Sequence, residues 1–188
     1  TSSFNVFSGH PTYRREIAHL PLAEKVAMMQ KPEIRAALLS EQSAMRAGGM
    51  ADPNDLLYRV FPLGENPNYE PDREQSVGGM ADAAGVTPME MMYDLLLRDG
   101  GRELFYQPLG GYFTYNFDFF RKNMQHPNVL FGLSDGGAHC GVIADAGMPT
   151  FILSYWGRDR VKGEKFPLEF LVRKLTSDTA RAYGLNDR

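Results

Sequence analysis

The run Asn128-Val129-Leu130-Phe131-Gly132-Leu133 is short and apolar, and it ends in Ser134-Asp135-Gly136-Gly137-Ala138-His139. An apolar run of this length stopped by a turn predicts a strand of a parallel sheet covered on both faces. The glycines after Asp135 let the backbone turn sharply, so a carboxylate at the strand's end can stand over the sheet while the chain moves away. Upstream, Glu103-Leu104-Phe105-Tyr106-Gln107 predicts another strand, and an aromatic helix bearing Phe117, Phe120 and Met124 is expected from about Thr114 to Gln125. Downstream, a helix is expected over Thr150 to Trp156. Another starts at Pro167 with Leu168, Leu171, Val172 and Leu175 as its apolar stripe, and a final one from Ser177 to Tyr183 is closed by Gly184. Strands alternating with amphipathic helices predict an α/β protein with right-handed crossovers and a parallel sheet, either doubly wound or a (β/α) barrel.

Toward the N-terminus the pattern is more helical. After Tyr13 to Leu20, Pro21 suits a first helical turn, with Leu22, Val26 and Met29 at helical spacing. A second helix from Pro32 carries Ile34, Leu38 and Met45 and stops at Gly48-Gly49, which gives a helical hairpin. Leu56 to Leu63 reads as a buried strand, and Gly64 to Pro71, with its prolines and asparagines, as a loop. Ser76 is placed to cap a helix through Ala84. Thr87-Pro88-Met89-Glu90 then supplies an N-cap, a first-turn proline and a capping-box glutamate for a helix striped by Met89, Met92, Tyr93 and Leu96 and ended by Gly100-Gly101. About three strands emerge. A complete eight-stranded barrel takes about 250 residues, so at most part of one fits.

Composition sets the outer bounds. With 188 residues, 43% of them hydrophobic and 23% charged, the chain has the make-up of a folded domain and not of a disordered one. Twenty basic and 23 acidic residues give a net charge of -3, so no global positive field draws it to nucleic acid or anionic lipid. Its apolar runs fall short of the roughly 20 residues that cross a bilayer, and neither a nucleic-acid nor a membrane partner is expected. The single cysteine, Cys140, excludes an internal disulfide and a thiolate zinc cluster, which suits a reducing compartment; a cytoplasmic location is expected. Both ends read as cut: Thr1 is no initiator, and a helix end runs straight into Arg188.

In parallel α/β architectures chemistry gathers at the carboxyl ends of strands, and Asp135 is expected there. A carboxylate so held can ligate a metal or carry a proton, or it can simply cap the Gly-Gly turn. His139 is placed either to contact substrate and orient Asp135 or to face solvent from the same loop. His10, in Ser8-Gly9-His10-Pro11, reads as a turn residue, with an active-site loop as the alternative. His19 beside Leu20-Pro21 and His126 before Pro127 read as structural, the latter as a cation for a helix end. No nucleophile elbow, Walker loop or dinucleotide fingerprint is present, and Cys140 reads as a small buried thiol. Arg158 and Arg160 read as a solvated Arg-Asp-Arg loop, with carboxylate binding as the alternative.

Four segments in order carry a resemblance: Gly132-Leu-Ser-Asp-Gly-Gly-Ala-His-Cys-Gly141, Asp145-Ala-Gly-Met-Pro-Thr150, Tyr155-Trp-Gly-Arg-Asp-Arg160 and Leu175-Thr-Ser-Asp-Thr-Ala-Arg-Ala-Tyr-Gly-Leu185. They are similar to the C-terminal part of the D-aminoacylase, or N-acyl-D-amino-acid deacylase, branch of the amidohydrolase superfamily. Ser8-Gly9-His10-Pro11 and Leu20-Pro-Leu-Ala-Glu-Lys25 extend the likeness over nearly the whole chain, more weakly in the middle. The resemblance implies a metal-dependent (β/α) TIM barrel, of which residues 1–188 would supply only the C-terminal strands and helices, as a fragment of a larger chain. It implies hydrolysis of the amide of small-molecule N-acyl-D-amino acids, with zinc as cofactor. By it, Asp135 contacts the metal-bound water, takes its proton and passes it to the leaving nitrogen, while His139 is a substrate-contact candidate.

The chain departs from that family in one respect. The family holds its metal with a His-x-His pair after the first strand, and this sequence contains none. Most zinc ligands are therefore expected outside the segment, and the isolated 188 residues are expected to be inactive. The alternative is a catalytically incomplete barrel remnant that serves as a binding or assembly module. Folding alone would require the open sheet edge to be covered, by rearrangement or by self-association into a homo-oligomer.

Overall fold

The structure, a computed structural model, describes residues 5–41, 52–108, 111–132 and 145–186. They form two units, the first ending at Tyr115 and the second beginning at Asn116.

In the first unit a π-helical turn, Tyr13–Ile17, leads to α1 (Leu22–Met29) and α2 (Pro32–Ser40). Pro21 is the N-cap of α1, just outside the expected first turn, and Pro32 opens α2, where its missing N–H has no partner to lose. The spacing read from the sequence is the buried face: α1 hides Val26 and Met29, and α2 hides Ile34 and Leu38. Met45 and Gly48-Gly49 lie outside the described residues.

The strand expected over Leu56 to Leu63 is broken: Leu56 and Leu57 end a helix, a turn follows, and two residues are strand. Asp52 accepts the Asn54 N–H at 2.9 Å and Pro53 takes the first helical position, which starts α3 (Pro53–Leu57). Only β1 (Phe61–Pro62) is strand. It pairs antiparallel with β2 (Phe105–Tyr106), Phe61 opposite Tyr106 and Pro62 opposite Phe105. Pro62 has no N–H to give, and pairing ends after one further bond, from Leu63 N–H to the Leu104 carbonyl at 2.8 Å.

Between these strands lie α4 (Val77–Ala84) and α5 (Pro88–Leu96). Ser76 caps α4 by accepting the Gly79 N–H at 3.0 Å, and Thr87 with Glu90 forms the expected capping box on α5. A Cβ at Gly79 would stand 2.4 Å from the Arg73 carbonyl oxygen, so α4 meets the preceding turn, Arg73–Gln75, backbone to backbone. The core of this unit gathers Phe7, Ile17, Met29, Leu38, Leu57, Val77, Tyr93 and Leu95, all almost fully buried. Tyr93 meets Phe7 edge to face, and its hydroxyl donates to the Met29 carbonyl at 2.6 Å. The tyrosine hydroxyl thus satisfies a carbonyl at the end of α1 from inside the core.

In the second unit, α6 (Asp118–Gln125) is followed by a turn, and α7 (Met148–Phe151) continues into a π-helix, Ile152–Asp159. Then come α8 (Leu168–Leu175) and α9 (Ser177–Ala182). The start of α6 falls later than expected because Tyr115 has a left-handed φ of 55° and Asn116 accepts the Asp118 N–H at 3.1 Å. Gly184, at φ 74°, ends α9 as expected, with the Leu185 N–H reaching back to the Ala180 carbonyl at 2.9 Å. Phe117, Ile152, Tyr155, Trp156, Phe166 and Leu171 make the core.

Residues 128–132, expected to form a parallel strand, are a turn and irregular chain, and Leu133 lies outside the described residues. The described chain is thus helix-rich with a two-stranded antiparallel sheet, a mixed α and β protein. Neither the expected parallel sheet nor a (β/α) barrel is formed among the described residues. None of their helices is long and apolar enough to cross a membrane.

Candidate functional site

Asp135 and His139, the residues to which the sequence assigns catalysis and substrate contact, lie outside the described residues, as does Cys140. The structure describes what precedes and follows them in the second unit. On the upstream side, α6 ends at the turn His126 to Val129, where the Val129 N–H donates to the His126 carbonyl at 3.1 Å. The ammonium of Lys174, from α8, donates to the same His126 carbonyl at 3.2 Å and to the Val129 carbonyl at 2.8 Å. The Lys174 side chain is 4% exposed and lies 3.9 Å from the Asp178 carboxylate. Of the expected strand, the Val129 carbonyl thus accepts from a buried cation, while the His126 carbonyl ahead of it accepts from both that cation and the turn.

His126 itself is exposed, and its Nδ1 accepts the Asn128 N–H at 3.2 Å. It stabilises the turn as an acceptor. The carbonyl-binding cation expected of it is supplied by Lys174. The sequence held a signal for this, because position 174 falls three residues after the buried Leu171, on the inward face of α8.

On the downstream side, the π-helix delivers Tyr155, Trp156, Arg158 and Arg160. Arg158 is exposed and makes two bonds to Asp159, at 2.6 and 2.8 Å, which hold the Asp159 carboxyl below the usual carboxylate range. This much agrees with a solvated loop. Arg160 does not: its side chain is fully buried, stacked over Trp156 at 4.7 Å, with bonds to the Glu164 carbonyl at 2.9 Å and to Asp118 at 3.4 Å. Gly163, at φ 103°, lets the chain close on the guanidinium, since a Cβ there would stand 2.9 Å from Nη2. A groove of about 350 Å³ beside this helix is lined by Thr150, Leu153, Ser154, Gly157, Arg158 and Leu168. Two of its polar side chains have internal partners, Ser154 on the Thr150 carbonyl and Arg158 on Asp159.

In the first unit His10 is 3% exposed and lies 5.2 Å from the Phe7 ring. Burial pushes its imidazole below the ordinary value of 6.5, and its buried Nδ1 has no hydrogen-bond partner among the described residues. Nearby, Thr12 gives its N–H and hydroxyl to Glu41, at 3.0 and 2.5 Å. Burial raises the Glu41 carboxyl, but these two bonds outweigh it and hold the group below its usual value. A buried acid is Glu70, at 2% exposure, which nothing in the sequence singles out. Its neighbour Tyr106 is pushed up to about 12, first by burial and then by Tyr69 and Glu70.

His19 is exposed. Among the described residues, no three histidine, cysteine or acidic side chains are placed to hold a metal ion together. Compared with known proteins, the chain matches no family model, no curated protein and no solved structure.

Proposed function

We propose that the chain is part of a hydrolase of carbon–nitrogen bonds that acts on N-acyl-D-amino acids or related small amides, with Asp135 as the proton-transfer group. The observation that carries this proposal is the order of the four segments Gly132 to Gly141, Asp145 to Thr150, Tyr155 to Arg160 and Leu175 to Leu185. A chance match would reproduce one of them; the linked set is what resembles the deacylases. The same proposal makes the chain the C-terminal portion of a (β/α) barrel and places it in the cytoplasm.

A carboxylate with an ordinary pKa of about 3.9 is ionised at neutral pH and so is available as a base. Asp135 accepts a proton as the oxygen of water forms its bond to the acyl carbon. It then hands that proton to the amide nitrogen as the carbon–nitrogen bond breaks. Zinc, which the resemblance implies, would supply an electrophile, but the described residues do not fit it: no three ligating side chains gather among them. The proposal therefore gives this chain the proton carrier, with Asp135 at the metal site and most of the zinc ligands outside the segment.

In the complete gene product, Asp135→Asn is expected to lower kcat/KM for an N-acyl-D-amino acid by about 10²- to 10⁴-fold, the usual contribution of a general acid–base group. Turnover equal to that of the unmodified protein would overturn the assignment. A second proposal, an assembly module, draws on the exposed Phe113 and Phe119, 61% and 60% accessible. It predicts self-association that Phe119→Ser weakens, in a protein with no deacylase activity, measured by sedimentation alongside the assay.

A further inference from the structure

We propose that the groove beside the Ile152–Asp159 helix is a binding site for an amphiphilic monocarboxylate, an aliphatic acid whose charged end meets Arg158. Neither Asp135 nor deacylation enters this site. Thr150, Leu153, Ser154, Gly157 and Arg158 recur at helical spacing along one face of α7 and the π-helix, and Leu168, which opens α8, faces them across the groove. Gly157 lets α8 come in on bare backbone, since a Cβ there would stand 3.3 Å from Leu171 Cδ1. The volume, about 350 Å³, is that of a small-molecule pocket.

The groove has an apolar body and a charged end. Leu153 is half-buried and Leu168 is 57% exposed, so both offer aliphatic surface to a tail. The charged end is set by how Arg158 spends its donors. A guanidinium has five N–H groups in a planar fork. Arg158 gives one from Nε and one from Nη2 to Asp159, at 2.6 and 2.8 Å. The opposite edge, made by Nη1 and the second Nη2 hydrogen, has no partner among the described residues, and its two parallel N–H groups match the two oxygens of a carboxylate.

The charge around that edge favours the same ligand. Asp159 offsets Arg158, but the Lys165 ammonium donates to the Arg158 carbonyl, and Arg158 first and Lys165 after it hold the Asp159 carboxyl below its usual range. Two cations and one carboxylate leave this end of the groove positive. The Arg158–Asp159 pair is exposed, 77% and 48%, so it contributes little to the fold and a second carboxylate can share the guanidinium. A tail without a charge leaves the Nη1 edge unanswered, and a small anion without a tail leaves Leu153 and Leu168 wet.

Calorimetric titration of the complete gene product with octanoate, 1-octanol and acetate tests this. Octanoate is expected to bind more tightly than either of the others. Arg158→Gln is expected to weaken octanoate about 10-fold, the worth of a charge-assisted hydrogen bond, and to leave 1-octanol unchanged. Leu168→Ser is expected to weaken both. Asp159→Asn removes the competing carboxylate and is expected to tighten octanoate about 2- to 5-fold, a gain that loss of fold cannot produce. The proposal is overturned if octanoate does not bind, if 1-octanol binds as tightly, or if octanoate affinity is the same in Arg158→Gln or in Asp159→Asn as in the unmodified protein.

Discussion

The two units bury their interiors on different terms. In the first, the main core is apolar and aromatic, with Phe7, Ile17, Leu38, Val77 and Tyr93 almost without solvent contact. In the second, cations lie against the rings of the aromatic core, Arg160 on Trp156, Arg121 on Phe166 and Lys174 on Phe170, and Arg160 and Lys174 have 0% and 4% exposed side chains. An apolar core tolerates changes of shape in proportion to the area and volume lost. A core built on cations depends on each donor finding its acceptor, and so ties distant pieces of backbone to one point. The second unit, which contains the proposed catalytic segment, is the one built for positional control.

The strongest way to break this comparison is to remove one large side chain from each side. Phe7→Ala deletes a fully buried ring that contacts both Tyr93 and His10, and it is expected to cost the first unit about 3–5 kcal/mol. Hydrogen exchange at the α5 amides reads this unit. Arg160→Ala removes the guanidinium over Trp156, and it is expected to cost about 2–3 kcal/mol through lost stacking and the void left behind. One of its ionic partners, Asp118, is 75% exposed and regains water when the guanidinium is removed. Trp156 is the one tryptophan, and its fluorescence reports the second unit. Arg160→Met, which keeps much of the volume, is expected to lose less than Arg160→Ala. If the two variants are equally damaging, the charge and not the packing holds the unit together.

Legibility in the sequence follows the same division. The caps at Ser76 and Thr87, the stripe through Met92, Tyr93 and Leu96, and the Gly184 stop all use local chemistry, and each appears in the structure where the residues put it. Strands were harder, because an apolar run looks alike whether or not a partner strand is present. Leu56 and Leu57 went to helix on the strength of the Asp52–Pro53 start, and the Val129 region went to a turn held by Lys174. Lysine and arginine read as surface residues in any hydropathy pattern, so the cations at the centre of the second unit stayed hidden except for the helical register of Lys174. The helix expected over Thr150 to Trp156 forms, but its π-helical winding had no sequence signal, and it ends where the Arg160 N–H returns to the Tyr155 carbonyl at 2.8 Å. Asp135 and His139 remain legible only as sequence: a strand-end motif and its resemblance.

The smallest expected effect sharpens the comparison from the first unit's side, where one buried group is titratable and has no partner for its Nδ1. Burial lowers the folded pKa of His10 below the 6.5 of an exposed imidazole. Its surroundings are the Phe7 ring, the Glu41 carboxylate, which attracts the protonated form, and Arg15, whose Nη2 meets Thr12 at 3.4 Å. Above about pH 6.5 both folded and unfolded chains carry a neutral imidazole, and the group leaves stability independent of pH. As the pH falls below that value the unfolded chain binds a proton that the folded one refuses. Stability therefore declines, and it continues to decline until the pH passes the lowered folded value. Glu41 acts in the same direction at lower pH, since its carboxyl is also held below the ordinary 4.5. Denaturant midpoints read by α5 exchange should fall between neutral pH and the acid side of 6.5 in the unmodified protein, and His10→Leu should remove that part of the slope while leaving the Glu41 part below it. A variant with the same slope as the parent would mean that the imidazole is not the group that makes the apolar unit acid-sensitive, and the first unit would then owe its pH response to its carboxylates, Glu41 among them.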